Sequence, residues 1–477
     1  MRISEYFNLD RTQPSLDFVD VDIEGDTRVF VDPRALRLLH SRWGDECVAL
    51  VQSFFSTVLT AIHEGRDDLA QELLSFLREP NEVHLGLSVG KARGRALGGG
   101  SVEDVWEALG RSEAVRSGLL EDLEDTVLMV EGISSDIVSD IAVNIIRQPL
   151  IHYTQGICEQ MGIPLQEGVA AGALWNPAEQ QWNEDFVPQP VTEHGKLLLV
   201  PKAIVRRRLD YDKDEYYNDY LLATLREQEL NANTELVRLL KDGRRKVTKK
   251  DLVQKFGNSK SAIVRETLKH PEVLDRYREA KRNRISPPLT HLSLAVTEGT
   301  PPPDWDGLLA AVQAIPPGRE GATAYERAIE ALLTALFYPA LTNPQIQRRI
   351  HAGRKIIDIT YTNVAVADFF YWLLMHYTAP HVFVECKNYA GEVGNPELDQ
   401  LAGRFSPSRG TFGLLVCRNF DDKELFIQRC RDTANDRRGF IVPLDDADLA
   451  VLVAETKEPL EGGAMGLLKD RFDRLVM

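Results

Sequence analysis

The stretches GRKIIDI (353–359) and HVFVECKNY (381–389) decide how this chain is read. Each is a short run of β-branched and aromatic residues broken by charge: Asp358 in the first, Glu385 and Lys387 in the second. Residues two apart on a strand share a face, so Glu385 and Lys387 point one way and Val384 and Cys386 the other. A charged group inside an apolar strand is costly unless it does something. Carboxylates on two adjacent strands have the chemistry to hold Mg²⁺, which takes oxygen ligands and keeps several waters. Such an ion polarises a phosphate and lowers the pKa of a bound water. The lysine would orient that water or stabilise charge developing on phosphorus. The competing reading is a buried structural Asp and an exposed Glu/Lys pair.

Upstream, AYERAIEALLTALF (324–337) predicts a helix with Tyr325, Ile329, Leu332, Leu333, Leu336 and Phe337 as its apolar stripe. Glu326 and Glu330 stand one turn apart on an adjoining face, and either could reach the strands. Downstream, PELDQLAGR (396–404) predicts a helix carrying Gln400. Strand patterns at 354–361, 381–387, 411–417 and 439–443 alternate with helical ones at 323–337, 367–377, 396–404, 422–434 and from about 445. That rhythm is an α/β domain with a central mixed sheet flanked by helices.

Together, Glu326, Asp358 in GRKIIDI, Glu385 and Lys387 in VECKNY, and Gln400 in DQLAGR resemble the PD-(D/E)XK nuclease superfamily. The nearest likeness is to its restriction-endonuclease-like, Mrr-type members, and it covers about residues 319–452, under a third of the chain. The resemblance implies Mg²⁺ dependence, with Mn²⁺ as a substitute, and hydrolysis of DNA or, more rarely, RNA. It implies a catalytic set of Asp358, Glu385, Lys387, Glu326 and Gln400, with Asp358, Glu385 and Glu326 as metal ligands. Ile357 stands where the motif's name has Pro, and the helical run ADFFYWLLMHY (367–377) lies between the two acidic strands. Arg348, Arg349, Arg354, Lys355, Arg404 and Arg409 are the expected phosphate contacts. Nucleases of this kind with an extra domain suggest bacterial defence against foreign DNA. A catalytically idle nucleic-acid-binding protein and a nucleotide-triggered ribonuclease effector remain alternative readings, and DNA versus RNA stays open.

At 477 residues the chain calls for two or three domains, and 43% hydrophobic with 27% charged residues is a globular composition. The N-terminus, MRISEYFNLDRTQ, lacks the pattern of a signal peptide, and no run of 18 apolar residues predicts a transmembrane helix. The 5 cysteines are scattered without CxxC spacing, which suggests neither zinc nor disulfides and makes the cytoplasm the expected compartment. Net charge is −16, against generic polyanion binding, yet residues 241–284 hold 15 Lys+Arg against 6 Asp+Glu. Within them VTKKDLVQKF and SKSAIVRETL, around Gly257-Asn258-Ser259, resemble a helix-turn-helix that would contact nucleic acid.

The expected organisation is a mainly helical α+β N-terminal region over 1–200 and a basic helical region over 201–285. A Pro-rich linker over 286–318 then leads to the nuclease domain over 319–477. In the first region LDFVDVDI (16–23) predicts a hairpin strand with Asp17, Asp20, Asp22 and Glu24 facing solvent. TVLMV (126–130) and KLLLVPKAIV (196–205) predict strands, and residues 174–195 an extended segment. Asp136 and Asp140 read as N-terminal helix carboxylates. The Gly-rich LGLSVGKARGRALGGGS (85–101), with Lys91, Arg93 and Arg95, fails the P-loop pattern and reads as a basic loop. A regulatory ligand or partner protein at the N-terminal region, and a homo-oligomer, stay open.

Overall fold

The computed structural model describes residues 1–39, 41–86, 102–283, 287–389, 391, 393–458 and 465–477. Buried apolar side chains gather into two cores, one built from residues 3–277 with Val364 and one from residues 312–475.

The second core is organised by a sheet. Helix α1 (Ala322–Phe337) precedes strands β1 (Leu341–Ile350) and β2 (Lys355–Asn363), and helix α2 (Asp368–His376) leads to β3 (His381–Lys387). Helix α3 (Asn395–Ala402), β4 (Phe412–Cys417), α4 (Lys423–Asn435), β5 (Phe440–Leu444), α5 (Asp446–Lys457) and α6 (Gly466–Val476) follow. The strand order is β5-β4-β3-β2-β1, antiparallel from β1 to β3 and parallel from β3 to β5. The sheet is therefore mixed, as expected. Strand β4 is buried at every position, as a strand covered on both faces must be. The apolar stripe of α1 is buried as the spacing predicts. It packs on the face bearing Ile357, Ile359 and Tyr361, where the Tyr361 hydroxyl donates to the Glu330 carbonyl at 3.1 Å. Phe405, just after α3, stacks on Phe383 from the opposite face.

One feature agrees with the expectation and one departs from it. The inserted helix α2 leaves β2 and β3 directly paired, with Ile359 opposite Val384. Strand β1 carries no strand signal: LTNPQIQRRI has little alternation and contains Pro344. Proline is tolerated there because β1 is the sheet edge.

The first core is mainly helical, with Arg42–His63 as its longest helix. By length and composition that helix could cross a membrane, contrary to the expectation of no such segment; here Leu50, Phe54, Val58 and Ile62 are buried in the core. Several local readings are corrected. LDFVDVDI forms no hairpin, and Asp17 and Asp20 are buried, Asp17 accepting from the Tyr153 hydroxyl at 2.8 Å and Asp20 from Ser4. TVLMV is helical, within Asp125–Met129. KLLLVPKAIV is buried but mostly irregular, with only Gly195–Lys196 and Val205–Arg206 as strand. The extended segment is the return strand of a hairpin, Gln166–Asn176 with Gln181–Gln189, in which Trp175 faces Trp182. Asp136 does lie in the first turn of a helix, Ser135–Ile145, but Asp140 is buried. Residues 87–101 of the basic loop, with Lys91, Arg93 and Arg95, lie outside the described residues.

Residues 1–277 share one core, so no boundary near 200 separates two hydrophobic interiors. The stretch 286–318 is more than a linker: it holds helices His291–Glu298 and Trp305–Gln313, and Val312 joins the second core. The basic segment does form helix, turn, helix, as Lys249–Phe256 and Lys260–Lys269. On the second of these Ala262, Ile263, Val264, Glu266 and Thr267 are buried and Lys260 Nζ donates to the Val130 and Ile133 carbonyls at 2.7 Å, while the exposed Arg265 and Lys269 are both paired with Glu266.

The two cores meet through polar contacts. Arg11 pairs with the buried Glu330 of α1, and the Asn343 amide donates to Asp17 at 3.0 Å. The fully buried Lys202 lies 4.2 Å from the Tyr338 ring centre. Removing one member of a buried pair leaves the other charge uncompensated. Arg11→Ala is therefore expected to destabilise the protein by about 3 kcal/mol in denaturant unfolding, with much of that loss recovered in the Arg11→Ala, Glu330→Gln double variant.

Candidate active site

The register of β2 against β3 brings the acidic residues together. Asp358 precedes and Glu385 follows the pair Ile359–Val384, so the two lie across from each other on adjacent strands. Alternation sends Ile357, Ile359 and Tyr361 into the core under α1 and leaves Asp358 to the other face. The Cys386 amide donates to Asp358 Oδ2 at 2.9 Å. Lys387 Nζ donates to Glu385 Oε1 at 2.6 Å and lies 3.4 Å from Gln400 Oε1, while Gln400 Nε2 donates to the same Glu385 oxygen. Glu385 is fully buried, and its Oε2 has no hydrogen-bond partner among the described residues.

The helix acids separate cleanly. Both oxygens of Glu326 accept from Gln347 Nε2 at 2.8 Å, and the Asp358 and Glu385 charges act on it. Glu330 is turned away, held by Arg11 and the Thr334 hydroxyl. Gln347 was invisible in the sequence pattern. It lies on the edge strand β1 with φ +53, a left-handed conformation uncommon outside glycine that often marks a functional constraint. From there its side chain also reaches Asp358.

The electrostatics of the cluster are those of crowded carboxylates. Burial, then the Asp358 charge, pushes the Glu385 pKa up to about 7, although Lys387 acts in the opposite sense. Burial raises Glu326 to about 7 as well; Gln347 opposes this and the Asp358 and Glu385 charges add to it. Asp358 is raised by burial against the Cys386 amide, Lys387 and Arg404. Burial works against the charge on Lys387, but Glu385 and Asp358 hold its pKa above the ordinary value.

Whether this set fits a metal ion rests on those observations. A carboxylate whose pKa is raised by its acidic neighbour, and a buried carboxylate oxygen lacking a donor among the described residues, fit a hard cation with oxygen ligands. Among the described residues, no group of three or more His, Cys, Asp or Glu side chains is placed to hold a metal ion, so Asp358, Glu385 and Glu326 do not make the three-ligand set the sequence suggested. Mg²⁺ needs no such set, since it is commonly held by one or two carboxylates and completes its shell with water. Asp358 and Glu385, with Glu326 beside them, are the residues that would hold it.

Of the expected phosphate contacts, Arg354, Lys355, Arg404 and Arg409 gather at one end of the sheet. Slight desolvation and the charges of Arg409, Lys355, Arg354 and Arg404 lower the pKa of His351, a residue the sequence did not single out. Lys355 Nζ donates to the Gly403 carbonyl at 2.7 Å and Arg409 to that of Arg404 at 3.2 Å. Arg404 acts on both Asp358 and Glu385. Arg348 and Arg349 are exposed on β1, and Arg348 lies toward His381, whose pKa it lowers after burial.

Comparison with known proteins adds little to this geometry. Residues 8–212 match a family model described as a domain of unknown function, DUF8370. No curated protein matches the chain. Among solved structures there is a similarity to the restriction endonuclease FokI bound to DNA, at 11% identity and a TM-score of 0.23. It covers 75% of this chain and 65% of that one, and a score of this size does not define a common fold.

The raised pKa of Glu326 has a consequence for stability. An acid whose folded pKa lies above its unfolded value opposes folding increasingly as pH rises from the unfolded value, 4.5, through about 7. Glu326→Gln is therefore expected to raise the melting temperature of the metal-free protein at about pH 8 and leave it nearly unchanged at about pH 4. Calorimetric scans at the two pH values check this.

Proposed function

We propose that residues 319–477 form a metal-dependent endonuclease that hydrolyses phosphodiester bonds in DNA. The observation that carries this is the facing pair Asp358 and Glu385, with Lys387 from the same strand and face and a buried Glu385 oxygen left without a donor. A structural role would not require two carboxylates facing each other on adjacent strands, one of them fully buried.

Mg²⁺ bound here would polarise a phosphate oxygen and lower the pKa of a coordinated water. The chain's own groups have separate tasks. Lys387 stays protonated between Glu385 and Gln400, so it is poised as a donor to an attacking water or to charge developing on phosphorus. Gln400 fixes both the lysine and the glutamate, and Gln347 fixes Glu326. Arg404 with Arg354, Lys355 and Arg409 supplies positive charge where a phosphate backbone would approach.

Purified protein with Mg²⁺ or Mn²⁺ is expected to nick or degrade plasmid and linear DNA. Asp358→Ala and Lys387→Ala should each lower the rate by at least about a hundredfold, measured on protein shown to be folded, since Lys387→Ala also leaves the buried Glu385 uncompensated. Full cleavage by both variants would contradict the assignment.

A further inference from the structure

We propose that the hairpin Arg238–Leu239 with Arg245–Lys246, together with the first turn of the helix Lys249–Phe256, is a second contact surface for duplex DNA, gripping its phosphate backbone without reading sequence. This rests on the reading of the C-terminal unit as a DNA nuclease. It moves the nucleic-acid contact from the helix Lys260–Lys269, whose Arg265 and Lys269 are paired with Glu266, to a different element.

Most cations beyond residue 250 are already engaged within the fold. Lys255 pairs with Glu229 at 2.5 Å, Arg265 and Lys269 with Glu266 at 2.9 and 3.0 Å, Arg278 with Asp125 at 2.6 Å, and Lys281 with Glu215 at 2.5 Å. The hairpin is different. Every residue from 238 to 246 is exposed, as are Lys249 and Lys250. Arg238 pairs with Asp251 and Arg244 with Asp242, both at the surface, whereas Lys241, Lys246, Lys249 and Lys250 make no ion pair among the described residues. The chain as a whole carries −16, so a polyanion is repelled by most of the surface and held where positive charge is concentrated.

The shape also suits a duplex. A two-stranded ribbon has the cross-section that enters a DNA groove. Leu239, 75% exposed, and Leu240, 37% exposed, stand among the cations, where apolar side chains can rest against the sugars.

The test is binding of the full-length chain to a fluorescent duplex of about 30 base pairs in EDTA, from roughly 50 to 200 mM NaCl. The comparison is with the variant Lys241→Gln, Lys246→Gln, Lys249→Gln, Lys250→Gln. We expect at least about a tenfold loss of affinity at the lowest salt, and a plot of log affinity against log salt shallower by up to about 3.6, or 0.9 per lost phosphate contact. The same four positions changed to Arg should keep both affinity and slope. Lys246→Glu alone should weaken binding in the same direction, which keeps the test decisive if the fourfold variant folds poorly. Unchanged affinity and slope in both glutamine and glutamate variants would overturn the proposal. So would absence of duplex binding by the unaltered chain, or loss of binding to phosphatidylserine vesicles with duplex binding intact. Cleavage of the same duplex in Mg²⁺ separates the two readings. A hairpin variant that binds and cuts normally refutes only the hairpin, whereas an unaltered chain that binds through the hairpin yet never cuts refutes only the nuclease.

Discussion

Two carboxylates, the half-buried Asp358 and the fully buried Glu385, face each other across the pairing of β2 and β3, and much of the C-terminal architecture serves to keep them there. Left alone they repel, and the pKa of Glu385 rises to about 7 in consequence of burial and the Asp358 charge. The fold offsets part of that cost with the Cys386 amide, Lys387 and Gln400. It leaves one Glu385 oxygen without a hydrogen bond among the described residues. Buried polar groups are almost always satisfied, so an exception asks for an explanation. A bound cation is the explanation we favour.

The sheet supplies the rigidity this requires. Strand β3 lies between an antiparallel and a parallel neighbour, so its register is set from both sides. Helix α1 covers one face and carries Glu326 to the cluster, while Glu330, one turn on, is tied to Arg11 of the first core. The same helix thus meets the candidate active site at one position and the N-terminal unit at the next turn. A change in how the two cores dock would be felt by the helix that holds Glu326.

How much of this was legible in the sequence depended on how strongly each segment was patterned. The runs GRKIIDI, HVFVECK and TFGLLVC have dense β-branched residues and became β2, β3 and β4 within a residue or two. The catalytic candidates Asp358, Glu385 and Lys387 stood out because charge interrupts apolar alternation. Strand β1 and Gln347 were not legible, since LTNPQIQRRI owes its conformation to pairing with β2 rather than to its own residues. LDFVDVDI misled in the opposite way: its alternation is real, but Asp17 and Asp20 are buried along with the apolar residues, held by hydrogen bonds with Ser4, Tyr153 and Asn343. The helix acid could not be chosen from spacing alone, because Arg11, more than 300 positions away, is what takes Glu330 out of consideration.

The central claim is that Asp358 and Glu385 hold a divalent cation. Anomalous scattering from a crystal soaked in Mn²⁺ tests it most directly. The account predicts a manganese peak between the two carboxylates, with Glu385 Oε2 as one of its ligands. A crystal saturated with Mn²⁺ that shows no peak there, with Asp358 and Glu385 still held only by the Cys386 amide, Lys387 and Gln400, would contradict it.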